Sequence, residues 1–223
     1  MATGVVYRSA RLADASAADI RQLTRLGVTE VLDLRTPDVA RRSPDPAVPG
    51  ATNRLVNLFA VARASSVSLG SVAEARARMR AVNVAFVTDP AQPARTAVAL
   101  RSIAKAHGPV LIHCTEGKDR TGWISAVLQL VAGVDRSEIV AEYLKSNDYR
   151  RRLIAQAYQQ TLASSGARRA AIQRATLVVE SSYLTAGLSS LESRYGSVDG
   201  YLTAGLGLDA ATIAALRARL IAG

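Results

Sequence analysis

The sequence predicts an α/β fold, a central sheet flanked by helices, with a helical C-terminal third. Three observations carry that prediction. The runs VTEVLDL (28–34) and VLIHC (110–114) have the length, composition and turn boundaries of strands. Segments of helical spacing, closed by glycine or proline, lie between and after them. From about residue 137 to 222 the pattern is almost wholly helical. Strands alternating with helices place helices on the faces of a sheet.

The elements follow in order. VYRSARL (6–12) is a short extended piece. Ser16 caps a helix whose apolar face is Ile20, Leu23 and Leu26, and Gly27 ends it. The strand at 28–34 comes next. Four prolines and a glycine make 37–50 a loop. RLVNLF (54–59) is a second strand. Glu74 to Val87 is helical, and Ser65 to Ser71 is mobile, the form of a lid. A helix over 95–107 stops at Gly108 and Pro109, the buried strand 110–114 follows, and Gly122 to Val131 is helical. Breaks in the C-terminal helices are expected near Gly133, Gly166, Gly196 and Gly205–Gly207.

With 223 residues, 49% of them hydrophobic, the chain is expected to form one globular domain over 1–223. No apolar run has the roughly 18 residues of a membrane span, and the N-terminus lacks a signal pattern. A cytoplasmic protein is expected, with signal-less export left open. The formal charge of +10 favours anionic partners. The single cysteine, Cys114, excludes an internal disulfide and a cysteine-rich metal cluster.

The chemistry concentrates in VLIHCTEGKDRTGW, residues 110–123. A buried strand ends in Cys114, a tight loop follows, and a helix begins near Arg120. Backbone N–H groups of such a turn, from Thr115, Glu116, Gly117, Lys118, Asp119 and Arg120, form an anion nest, and the helix dipole adds positive potential. Both favour a thiolate at Cys114. The planar fork of Arg120 takes two phosphate oxygens at once, and with the amides surrounds the equator of a transferring phosphoryl group. Gly117 lets the backbone turn tightly. Thr121 can donate to the Cys114 sulfur, His113 can hold the loop through a backbone hydrogen bond, and Lys118 adds charge at the rim. The mononucleotide motif G-x-x-x-x-G-K-[ST] is absent.

HCTEGKDRTG carries the Cys-x5-Arg signature and resembles the bacterial tyrosine/serine phosphatases. YRSARL (7–12), LGVTEVLDLRT (26–36), YLKSND (143–148) and YGSVDGYL (195–202) resemble further segments of that family. The resemblance implies a tyrosine-phosphatase-like α/β fold and a two-step mechanism with no metal and no cofactor. Its substrates would be phosphotyrosine, phosphoserine/threonine or phosphoinositides. It makes Cys114 the nucleophile, Arg120 the phosphoryl ligand, Asp119 the general acid and base, and Lys118 a contact to extra inositol phosphates. Two departures stand out. The Asn-Phe-Arg-Asp segment usual before the YRS motif is not seen, and one relative's aspartate after the second strand has no counterpart in LFAVARA (58–64).

Other readings stay open. The substrate is a phosphorylated protein, a phosphoinositide or a small phosphorylated metabolite such as a nucleotide. A non-enzymatic phosphate-binding pseudophosphatase is the alternative class, against which the intact Cys, Arg and Thr argue. Glu116 is expected to point outward, Asp33 and Arg35 to pair under the loop, Asp89 to cap a helix, and Arg8 and Arg11 to be packing or surface residues. The arginines at 150–152 and 168–169 are expected on a solvated face. A basic amphipathic helix behind Gly-x-Gly at 205–220 has the form of a DNA-backbone hairpin. No aromatic residues interleave it, so no nucleic-acid partner is expected.

Overall fold

Four parallel strands in the order β1-β4-β2-β3 form the sheet: β1 Val6–Ser9, β2 Glu30–Asp33, β3 Thr52–Leu55 and β4 Val110–His113. The computed structural model describes residues 1–58 and 69–221. β2 and β4, the two apolar runs, occupy the centre and are buried along their length, whereas β3 lies exposed at an edge. An all-parallel sheet needs cover on both faces, and side-chain alternation divides the cover. Leu32 and Ile112, paired in register, join the larger core with Leu100, Ile103 and Ile124. Val31 and Leu111 face the other way, onto Ile20, Leu23 and Leu26.

Those last three residues belong to or flank helix α1 (Ala17–Arg25), which begins with a full capping box. The Ser16 side chain accepts from the Asp19 amide, and the Asp19 carboxylate accepts from the Ser16 amide. Helices α3 (Val72–Thr88), α4 (Ala91–Lys105) and α5 (Asp119–Val131) lie close to the spans read from sequence. α5 is buried nearly throughout, and its Trp123 stacks on Phe86 with ring centroids 5.6 Å apart. The C-terminal third supplies α6 (Arg136–Tyr149), α7 (Arg151–Leu177), α8 (Ser181–Tyr195), the single turn α9 (Val198–Gly200) with a π-helical continuation over Tyr201–Gly205, and α10 (Ala210–Ile221). None of the described helices is long and apolar enough to cross a membrane.

Two expectations are corrected. The segment 37–50 is not all loop, because Pro37–Arg42 forms a short helix, α2, with proline in its first turn, where its missing N–H costs nothing. The second strand lies at Thr52–Leu55 rather than 54–59. Its register against β2 ends at the Asp33–Leu55 pair, and Asn57 turns away with φ of 52°. Phe59 and the start of the expected lid, 65–68, lie outside the described residues, as do 59–64 of LFAVARA.

At Gly166, α7 does more than break. With φ of 80° and ψ of 170° the chain reverses, and Thr161 Oγ1 donates to Gln173 Oε1. Twelve residues of straight helix would hold those side chains about 18 Å apart. α7 is therefore a helical hairpin, and its returning arm brings the carbonyls of Thr176 and Leu177 beside the loop after β4.

Candidate active site

The loop after β4 lies at the carboxyl end of the sheet, where strand order changes direction and open α/β sheets bind ligands. Cys114 is 2% exposed at its foot. Its Sγ accepts a hydrogen bond from the Gly117 amide at 3.2 Å. That bond folds the loop over the sulfur, and it needs Gly117 in a left-handed conformation, φ 68°. The loop also runs close against β1. A Cβ at Gly117 would meet the Ser9 carbonyl oxygen at 2.5 Å and the Ala10 nitrogen at 2.8 Å.

Main-chain bonds hold the loop on both sides. The Arg11 amide donates to the Thr115 carbonyl at 3.2 Å, and the Leu34 amide donates to the His113 carbonyl at 2.8 Å. The Arg120 guanidinium donates to Thr115 Oγ1 at 3.1 Å and to the Leu34 carbonyl at 3.2 Å. Burial pushes the Cys114 thiol up. The positive charge of Arg120, with the hydroxyl and amide of Thr121, outweighs burial and the opposing Asp119 charge, so the thiol lies below its ordinary value. Thr121 itself is fully buried, and its Oγ1 has no hydrogen-bond partner of good geometry among the described residues.

His113 is fully buried beneath the loop, with Nδ1 3.2 Å from the Cys114 carbonyl oxygen. Its Nε2 lies 3.2 Å from Asp45 Oδ2, off the axis of a good hydrogen bond. Burial pushes the Asp45 carboxyl up, but His113, Arg35 and the Leu12 amide bring it below the usual carboxylate range. Arg35, 1% exposed, binds Asp33 at 2.7 Å and Asp45 at 2.6 Å. The expected Asp33–Arg35 pair is therefore present, with Asp45 as a third member. Asp33, Asp45 and His113 are the described side chains that come close enough together to ligate a metal. Both carboxylates already hold the Arg35 guanidinium, which fills the cationic position of that cluster.

The acidic and basic residues of the loop differ from expectation. Lys118 is not at the rim. Its side chain is 3% exposed, with Nζ donating to the Thr176 carbonyl at 2.7 Å and lying 3.0 Å from Asp119 Oδ2. Cations suit the C-terminal end of a helix, and the returning arm of α7 supplies that end. Glu116 is part-exposed, as expected, but its Oε2 lies 3.1 Å from Arg150 Nη2. Arg150, read as part of a solvated face, is 12% exposed and also donates to the Leu177 carbonyl at 2.6 Å. Asp119 keeps 21% of its side chain exposed, and its Oδ1 is buried with no hydrogen-bond partner.

Asp89 and Arg11, farther off, behave as read. Asp89 accepts from the Ala91 amide at the start of α4. Arg11 pairs with Asp14 at the surface. In α10, Ile213, Leu216 and Leu220 are buried, Arg217 pairs with Asp199, and Arg219 donates to the carbonyls of Ala106 and Gly108, so its basic residues serve internal contacts. Asp45, Arg150 and the inward role of Arg8 were missed in the sequence. The signal for Asp45 was slight, an acid between two prolines in the otherwise apolar PDPAV, and Arg150 gave none.

Residues 1–222 match the model of the tyrosine phosphatase family. A Cupriavidus necator protein, provisionally named as a tyrosine-protein phosphatase, is 33% identical over 99% of this chain and 80% of its own. The triple specificity protein phosphatase PtpB of Mycobacterium tuberculosis is 31% identical over 98% of this chain and 91% of its own. A tyrosine-protein phosphatase of Nostoc commune is 33% identical, over 64% of this chain and 48% of its own.

Proposed function

We propose, for a chain that belongs to the tyrosine phosphatase family and is a protein-tyrosine-phosphatase-like hydrolase, that it cleaves phosphate monoesters through a covalent phosphocysteine at Cys114. The observation that carries this reading is the Cys114 sulfur at the foot of the loop after β4, with the Gly117 N–H on Sγ and the Arg120 guanidinium on Thr115 Oγ1 of the same loop. The substrate phosphate sits in the loop, held by the amides of 115–120 and the Arg120 fork. The thiolate attacks phosphorus in line, the S–P bond forms and the ester P–O bond breaks. Asp119, protonated, gives its proton to the departing oxygen. Water then attacks the phosphocysteine, Asp119 takes the water's proton, and Cys114 leaves as thiolate with Thr121 beside it. The product is inorganic phosphate.

Phosphotyrosine in a protein is the favoured substrate. The internal engagement of Lys118 weighs against an inositol headgroup, because an ammonium bonded to Thr176 and Asp119 is not free for extra phosphates. The test is hydrolysis, with a metal chelator present, of phosphotyrosine and phosphoserine peptides, phosphoinositides and nucleoside monophosphates, each against Cys114→Ser. Cleavage of the phosphotyrosine peptide by the native chain alone is expected. Activity surviving in Cys114→Ser would sink the mechanism. Phosphate binding with no turnover of any substrate would leave a binding module instead.

A further inference from the structure

Arg8 projects from β1 with 19% of its side chain exposed, and its three hydrogen bonds join two separate elements. Nη1 donates to Glu142 Oε2 at 2.8 Å and Nη2 to Ser146 Oγ at 2.9 Å. Those acceptors stand four residues apart on one face of α6, so the guanidinium is tied to a rigid helix. From there Nη2 also donates to the Gly117 carbonyl oxygen at 2.7 Å.

The consequence lies in the next peptide. All described peptide bonds are trans, so the N–H of Lys118 points opposite to the C=O of Gly117. With that carbonyl drawn outward onto Arg8, the Lys118 N–H is turned inward, to the side on which Sγ already takes the Gly117 amide. A glycine in the left-handed region is where a peptide plane rotates at least steric cost. Rotation here would aim a carbonyl oxygen at the phosphoryl oxygens in place of a donor. We propose that Arg8 is a positioning residue that locks the Gly117–Lys118 peptide with its N–H facing the bound phosphoryl group. A charged donor on a single carbonyl makes that lock strong. The inference rests on the phosphatase reading above, because only a bound oxyanion gives the inward amide a task.

The experiment measures vanadate affinity by calorimetry, steady-state kinetics, melting temperature and the pH dependence of Cys114 alkylation. The proteins are the native chain, Arg8→Met and Glu142→Gln. Arg8→Met is expected to lose about 10²-fold in kcat and at least about tenfold in vanadate affinity, the scale of one missing oxyanion donor. Its alkylation midpoint should stay near the native one, because the amide on Sγ belongs to the preceding peptide. Glu142→Gln should melt lower yet keep native vanadate affinity, since Arg8 retains Ser146 and Gly117. If Arg8→Met does not fold, the double variant Glu142→Ala/Ser146→Ala removes both α6 acceptors of Arg8 and should show the same loss of vanadate affinity. Native affinity in Arg8→Met, or in the double variant in its place, overturns the inference. Losses in both single variants that merely follow their stability also overturn it. A native chain that binds no vanadate sinks the phosphatase reading itself, and the inference with it.

Discussion

The Lys118 ammonium lies 3.0 Å from Asp119 Oδ2 while donating to the Thr176 carbonyl, so one buried cation ties the loop after β4 to the start of α5 and the end of α7. Lys118→Met would leave the carboxylate and the carbonyl without their donor. Loss of one partner from a buried pair costs several kcal/mol, and the partial exposure of Asp119 reduces that to about 2 kcal/mol. The denaturant midpoint should fall accordingly with an unchanged slope. A shift within the roughly 0.5 kcal/mol typical of surface substitutions would mean that the ammonium is not held inside.

The Cys114 thiol gives a second prediction. Burial is the strongest influence on it and acts upward, while Arg120 is the strongest acting downward. Arg120→Met should therefore raise the alkylation midpoint. Linkage fixes the matching stability effect. The native thiol titrates lower than the unfolded one, so the native chain gains stability as pH rises between those two values. The gain is complete above the ordinary thiol value and is lost as pH falls through the native one. Cys114→Ala lacks this gain, and the stability difference between the two proteins should vary with pH only in that window. A pH-independent difference would contradict the lowered thiol.

Gly117 and Gly27 share a φ of 68° but differ in surroundings, since no atom lies within 4 Å of a Cβ at Gly27 while the Ser9 carbonyl blocks one at Gly117. Gly27→Ala should cost only the left-handed conformation, about 1–2 kcal/mol, with activity kept. Gly117→Ala adds a backbone collision and should destabilise further, pushing the loop off Cys114 and removing activity. Equal stability losses in the two variants, with activity intact, would show that the loop and β1 separate without consequence.

What the sequence disclosed follows from where partners lie. Cys114, Gly117, Arg120 and Thr121 sit within eight consecutive residues, so spacing alone suggested the chemistry proposed for them. The Ser16–Asp19 capping box was equally local. Arg8 was not legible as a loop support, because its acceptor, the Gly117 carbonyl, is 109 residues away and is backbone. Lys118 was read as a rim charge because lysines are seldom buried. Its acceptor is again a main-chain carbonyl, at a helix end created by the Gly166 reversal. β3 was misplaced because an exposed edge strand carries little hydrophobic signal, and TNRL carries one apolar residue.

In the proposed mechanism, Asp119 is the carboxylate that protonates the leaving group. It opens α5 one residue before Arg120, keeps part of its side chain exposed, and has one oxygen with no hydrogen bond. A proton donor matters in proportion to the basicity of the oxygen that departs. Asp119→Asn should therefore slow hydrolysis of alkyl phosphates and of phosphotyrosine by about 10²–10⁴-fold. Aryl esters with strongly acidic leaving groups should lose far less, because their oxygen departs without a proton. Vanadate affinity should be kept, since the amides and Arg120 remain. Rates measured across a series of aryl phosphates would give a steep dependence on leaving-group acidity in Asp119→Asn and a shallow one in the native chain. An equal, leaving-group-independent loss would reduce Asp119 to a partner of Lys118, and another group would then have to supply the proton.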